Sequence, residues 1–217
     1  MTRGYGVFKR MFNPLVLSLA VLVATISLPA VAAEKLILAF GDSLTAGYGL
    51  GPGEGVVPRL EAKLRADGLK VRVHNAGVSG DTTTGGRARL AWVLASLKTK
   101  PDLVILELGA NDALRGIDPK LTRANLDAML GDLKRRKIRV LLAGMMAPRN
   151  LGQDYARAFD PIYPTLAKAH GVALYPFFLD GVAANPKLNQ ADGMHPNAQG
   201  VRVIVDRLAP AVKQALR

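Results

Sequence analysis

A chain of 217 residues with 49% hydrophobic content can build one domain with a proper core and is too apolar to be disordered. It has no cysteine, which excludes a cysteine hydrolase and a zinc–thiolate module, and only three histidines, His74, His170 and His195, which argues against a histidine-rich metal site. The formal charge of +12 favours anionic partners, but no aromatic residues interleave with its basic cluster, so nucleic acid is not an expected partner.

The first 33 residues stand apart. Arg3, Lys9 and Arg10 precede the apolar run LVLSLAVLVATISL, and the small residues of PAVAAE follow. This is the layout of a secretory signal peptide, with cleavage near Ala32 or Ala33. An uncleaved anchor is the alternative, although the run is short for a transmembrane helix. No cysteine follows it, so a lipid-modified N-terminus is excluded. Removal of the leader leaves residues 34–217 as a single domain carrying +9. The expected location is outside the cytoplasm, after export. There a domain without disulfides must be held together by its core.

In that domain, short β-rich runs alternate with longer helical ones. The segments 35–40, 70–75, 103–108, 139–144 and 172–178 read as strands, most of them apolar throughout as strands buried on both faces are. Helices are expected over about 56–67, 84–98, 119–137, 154–170 and 197–216, with Gly68 and Gly171 as C-caps. The cluster KRRKIR at 134–139 is read as a basic helix end that suits the helix dipole, with attraction to anionic lipid or acidic substrate as the alternative. The alternation predicts an α/β fold, a parallel sheet covered by helices on both faces, with ligands bound beyond the carboxyl ends of its strands.

The residues that carry chemistry fall at that edge. Ser43 follows the first strand, Gly80 the second and Asn111 the third. Asp192 and His195 lie in DGMHPNAQG, between the fifth strand and the last helix. A serine hydroxyl is a weak nucleophile and needs a base within hydrogen-bond reach, for which His195 is placed. Asp192, three residues upstream, can hold the imidazole in one tautomer. A tetrahedral intermediate needs donors aimed at one oxygen, and the Ser43 N–H, the Gly80 N–H and the Asn111 amide supply three. Asp42 is expected to brace the Ser43 loop as an acceptor. Asp81 and Asp112 are read as helix caps or loop-fixing groups, His74 as a partnered or edge histidine, and His170 as a capping residue.

The blocks GDSLTAGYG, NAGVSGDTT, GANDALRG and DGMHPN resemble the four blocks of the SGNH hydrolases, also called GDSL esterases. ELGANDALRG and PIYPTLAKAHGVALYPFF are similar to the periplasmic branch of acyl-CoA thioesterases, lysophospholipases and arylesterases. The resemblance implies a three-layer α/β/α sandwich of flavodoxin-like type with a five-stranded parallel sheet. It also implies Ser43 as nucleophile, His195 as base, Asp192 as orienting acid, and Ser43, Gly80 and Asn111 as the oxyanion hole. None of these five positions departs from the pattern.

The implied substrates are small-molecule aryl and acyl esters, acyl thioesters and lysophospholipids, with no metal or organic cofactor. The expected state is a monomer in transient contact with anionic lipid. Candidates for the acyl pocket are Tyr48, Leu114, Ile117, Met146, Pro148 and Leu151, with Met145 read as packing. Two rivals are a carbohydrate O-deacetylase on the same fold and a silent lipid-binding protein. The single Trp92, mid-helix, offers little to a sugar groove.

Overall fold

The computed structural model describes residues 1–6 and 33–217, so the signal-peptide expectation falls almost wholly outside the described residues. The chain divides into Met1–Val31 and Ala32–Arg217. Of the first unit, residues 1–6 are exposed chain without regular structure. Among the described residues no helix is long and apolar enough to cross a membrane.

In the second unit the five apolar runs form one parallel sheet: β1 (Lys35–Gly41), β2 (Val71–Gly77), β3 (Leu103–Glu107), β4 (Arg139–Ala143) and β5 (Ala173–Tyr175). Their spatial order is β2-β1-β3-β4-β5. β1 after its first residue and all of β3 are buried, which explains their unbroken apolar sequences. The register sets Gly41 opposite Gly77 on one side and Glu107 on the other. The carboxyl ends of β1, β2 and β3 are therefore level, and the strand order reverses between β1 and β3, where such sheets bind ligands.

Eight helices complete the unit: α1 (Ser43–Ala46), α2 (Val56–Ala66), α3 (Thr83–Ser96), α4 (Ala110–Leu114), α5 (Pro119–Arg135), α6 (Gln153–Phe159), α7 (Ile162–His170) and α8 (Ala198–Ala215). α2 packs on α8, and α8 on β4 and β5; α5 packs on α3, α7 and β4. The result is a three-layer α/β/α sandwich whose core runs through both helix–sheet interfaces.

Three local features differ from the sequence expectation. The helix expected over 154–170 is two helices, because Pro161 has no N–H to continue the ladder. Asp160, at the break, accepts hydrogen bonds from Ala147 N–H at 2.8 Å and Arg149 Nη1 at 3.0 Å, which tie down the loop after β4. β5 ends at Tyr175 rather than 178, since Pro176 cannot donate to the sheet. Two short helices, α1 and α4, stand where loops were expected, and they carry Ser43 and Asn111. At the base of the sheet, Arg135 and Arg136 of the basic cluster both pair with Asp132 at 2.9 Å.

Candidate active site

The site begins with the junction of β1 and α1. Asp42 is fully buried and caps α1 by accepting the Leu44 N–H at 3.0 Å. Ser43 is therefore the first helical residue, 8% exposed, at the end of a rigid strand. Gly77 on β2 leaves room for this helix, because a Cβ there would lie 2.3 Å from Ala46 N. From β3, the buried Glu107 carboxyl accepts the Thr45 hydroxyl at 2.7 Å and the Asp42 N–H at 3.3 Å. Burial, and then the neighbouring Asp42 charge, push the Glu107 carboxyl well above its ordinary range. Burial also raises Asp42, to about 6.

The second part is the turn 190–196. Gln190 N–H donates to the His195 carbonyl at 2.7 Å, and Gly193 N–H to the Gln190 carbonyl at 2.9 Å. Asp192 Oδ1 accepts the backbone N–H groups of Met194 at 2.9 Å and His195 at 3.0 Å. These two bonds, His195 first, hold the Asp192 carboxyl down at about 2. Its other oxygen lies 2.6 Å from His195 Nδ1, and His195 Nε2 lies 2.9 Å from Ser43 Oγ. An ionised carboxylate accepts a hydrogen bond from Nδ1–H and keeps the proton on that nitrogen, so Nε2 is left as the acceptor facing the serine hydroxyl. The Tyr48 ring sits 4.6 Å from the imidazole, and Gln190 Nε2 ties the two loops by donating to the Tyr48 carbonyl at 2.7 Å.

The third part supplies donors. Neither the Ser43 N–H nor the Gly80 N–H has an acceptor among the described residues. Arg115 fixes the Gly80 peptide by donating to its carbonyl at 2.8 Å. Asn111 Nδ2 donates to the Asp81 carbonyl at 2.9 Å and to Asp42 Oδ2 at 3.2 Å. Arg89 braces the whole edge: it donates to Asp81 Oδ2 at 2.7 Å and to the carbonyls of Ala76 and Gly41 at 2.8 Å, with its guanidinium over the Phe40 ring. Asp112 ties α4 to α3 and α5, accepting from Thr83 N–H at 2.8 Å and the Thr122 hydroxyl at 3.0 Å.

Ser43, Gly80, Asn111 and His195 open into one cleft of about 600 Å³. Tyr48, Leu114, Met146 and Pro148 line it, and so does Met145, which also belongs to the core. Ile117 and Leu151 do not line it. The Ile117 carbonyl is taken by the Tyr155 hydroxyl at 2.7 Å, and Leu151 closes the short 3-10 turn Arg149–Leu151. Phe177, Leu179, Ala183, Ala184 and Met194 also line the cleft, and the sequence did not single them out. The apolar residues after Pro176 were the signal, hidden by reading the strand through 178. His74 is exposed on β2, the sheet edge, and His170 pairs with Asp127 at 2.6 Å; neither lines the cleft.

A strand-end serine, hydrogen-bonded to a carboxylate-held histidine beside free N–H donors, defines the class of hydrolases that work through an activated hydroxyl. The chain's relatives agree with that class. Residues 39–203 match the model of the GDSL-like Lipase/Acylhydrolase family. The chain is 39% identical to Esterase TesA of Pseudomonas aeruginosa over 89% of its own length and 96% of that protein. It is 40% identical to Thioesterase 1/protease 1/lysophospholipase L1 of Escherichia coli K12 over 82% of this chain and 83% of that one.

Among solved structures, the SGNH-hydrolase family esterase AlinE4 is 52% identical with a TM-score of 0.73, covering 85% of this chain and 98% of its own. The crystal structure of TesA gives a TM-score of 0.79 at 39% identity, over 83% of this chain and 99% of its own. Those solved chains are close in extent to the second unit standing alone. The chain belongs to the GDSL-like lipase/acylhydrolase family, and it is an ester hydrolase.

Proposed function

We propose that the protein is an exported serine esterase of the periplasm that cleaves aryl and acyl esters, acyl thioesters and lysophospholipids through an acyl-Ser43 intermediate. Ser43 Oγ attacks the acyl carbonyl while His195 Nε2 takes its proton. The oxyanion is held by the Ser43 N–H, the Gly80 N–H and Asn111 Nδ2. Asp192, ionised at any pH well above about 2, stabilises the imidazolium. His195 then returns the proton to the leaving alcohol or thiol. Water attacks the acyl-serine with His195 again as base, and the freed acid leaves Ser43 as it began.

The observation that carries this reading is the hydrogen-bonded chain Asp192–His195–Ser43, at 2.6 and 2.9 Å, opening into an apolar-walled cleft. The names of the relatives support the substrate classes. The charge of +9 on residues 34–217 supports transient contact with anionic lipid, and residues 1–33 have the composition of the export signal. The reading needs no cofactor and treats the protein as a monomer.

The test is a chain-length series of p-nitrophenyl esters from acetyl to dodecanoyl on residues 34–217, with Ser43→Ala as blank. A maximum at medium or long chains supports the acyl cleft. Activity confined to acetyl moves the assignment to a deacetylase, and no turnover above the blank moves it to a silent lipid binder.

A further inference from the structure

Large apolar side chains left in water are not scattered over the second unit. Seven stand out among its described residues: Tyr48, Val78, Trp92, Leu114, Leu121, Met146 and Met194. Trp92 stands apart in α3. The other six, each 47–53% exposed, gather at the carboxyl edge of the sheet. Tyr48 follows α1, Val78 follows β2 and Leu114 closes α4. Leu121 lies in the first turn of α5, Met146 follows β4, and Met194 separates Asp192 from His195. Four of them also line the cleft, and Val78 directly precedes Ser79 of its wall. A single exposed apolar residue is ordinary, but a gathered set marks a contact surface.

Charge decides what it contacts. Residues 34–217 carry +9, so a second copy of the chain is repelled as a whole and an anionic surface attracted. The apolar tips also have exposed cations beside them: Arg115 next to Leu114, and Lys120 and Arg123 around Leu121. Apolar tips that enter the acyl boundary, flanked by cations that meet phosphate groups, are the features of an interfacial docking face. The geometry points to this collar as the docking face for an anionic phospholipid surface, from which a single-chain acyl lipid enters the cleft directly. The inference rests on reading the cleft as an acyl-ester site, so its test separates binding from turnover.

Residues 34–217 carrying Ser43→Ala, which bind without hydrolysing, are co-sedimented with mixed phosphatidylcholine–phosphatidylglycerol vesicles and with pure phosphatidylcholine. Binding to the mixed vesicles is expected, and adding Val78→Ser with Leu121→Ser lowers the partition constant about tenfold. In the chain with Ser43 intact, the same pair leaves hydrolysis of p-nitrophenyl acetate unchanged, since neither residue lines the cleft. Unchanged binding of the double variant overturns the proposal. So does loss of binding only on Lys134→Ala with Lys137→Ala, which would put the lipid contact at the opposite edge. A dimer that the serine pair dissolves, without vesicle binding, would give the collar to a second copy and also overturn it. Vesicle binding that obeys the collar while the intact chain turns over no ester would uphold the docking face and remove the esterase reading.

Discussion

At the residue scale, the polar groups near Ser43 have separate tasks. Ser43→Ala removes the attacking atom and is expected to lower kcat by about 10⁶, read against p-nitrophenyl butyrate. Asp192→Asn cannot hold His195 in the right tautomer as an anion, and kcat should fall by roughly 10³–10⁴ with KM little changed. Asp42 makes a pH prediction. Its carboxyl titrates at about 6 in the folded protein against an ordinary 3.8, so between those values the folded state holds the proton more tightly than the unfolded one. Its contribution to stability therefore declines as pH rises from about 4 to about 6. Denaturant melts of Asp42→Asn across that window should lack this decline. The convergence of the five residues proposed as triad and oxyanion hole was legible in sequence, because block order after successive strands puts them at one edge. Glu107 was not. Nothing in LVILEL says that its carboxylate turns inward to hold the Thr45 hydroxyl. Glu107→Leu strands that hydroxyl and the Asp42 N–H, and is expected to cost about 1–3 kcal/mol in chemical denaturation, with a lowered kcat.

At the element scale, the strands and long helices were readable because periodicity and capping residues encode them. The short helices α1 and α4 were not, since each is too brief to show a period and both owe their form to packing. α4 is preceded by Gly109, whose φ of +117° and whose missing Cβ, which would lie 2.1 Å from Tyr163 Oη, let the chain turn over the core. α1 lies against Gly77 in the same manner. Gly77→Ala sets a methyl against the backbone of Ala46, which cannot yield as a side chain can. The expected result is a loss of about 1–3 kcal/mol of stability with a fall in kcat that exceeds any change in KM, because Ser43 moves with α1. Equal stability and activity in this variant would show that α1 tolerates displacement. The cleft wall at 177–184 was also illegible in detail, for a physical reason. After Pro176 the chain makes successive turns, and no sequence period reveals which apolar residues of a turn face inward.

At the scale of the whole molecule, the parallel sheet does two things at once. Its order β2-β1-β3-β4-β5 brings the ends of β1, β2 and β3 level, and α8 enters the fold just after the turn that carries Asp192 and His195. The same edge gathers the half-exposed apolar residues, while the paired cations of the 134–139 cluster lie at the other end. The measurement that bears most directly on the central claim is mass spectrometry of residues 34–217 quenched in acid during steady-state turnover of a p-nitrophenyl ester. The expected species is a chain heavier by one acyl group, with the group on Ser43 and no such species in Ser43→Ala. Acyl transfer to another residue, or undiminished hydrolysis by Ser43→Ala, would contradict that claim.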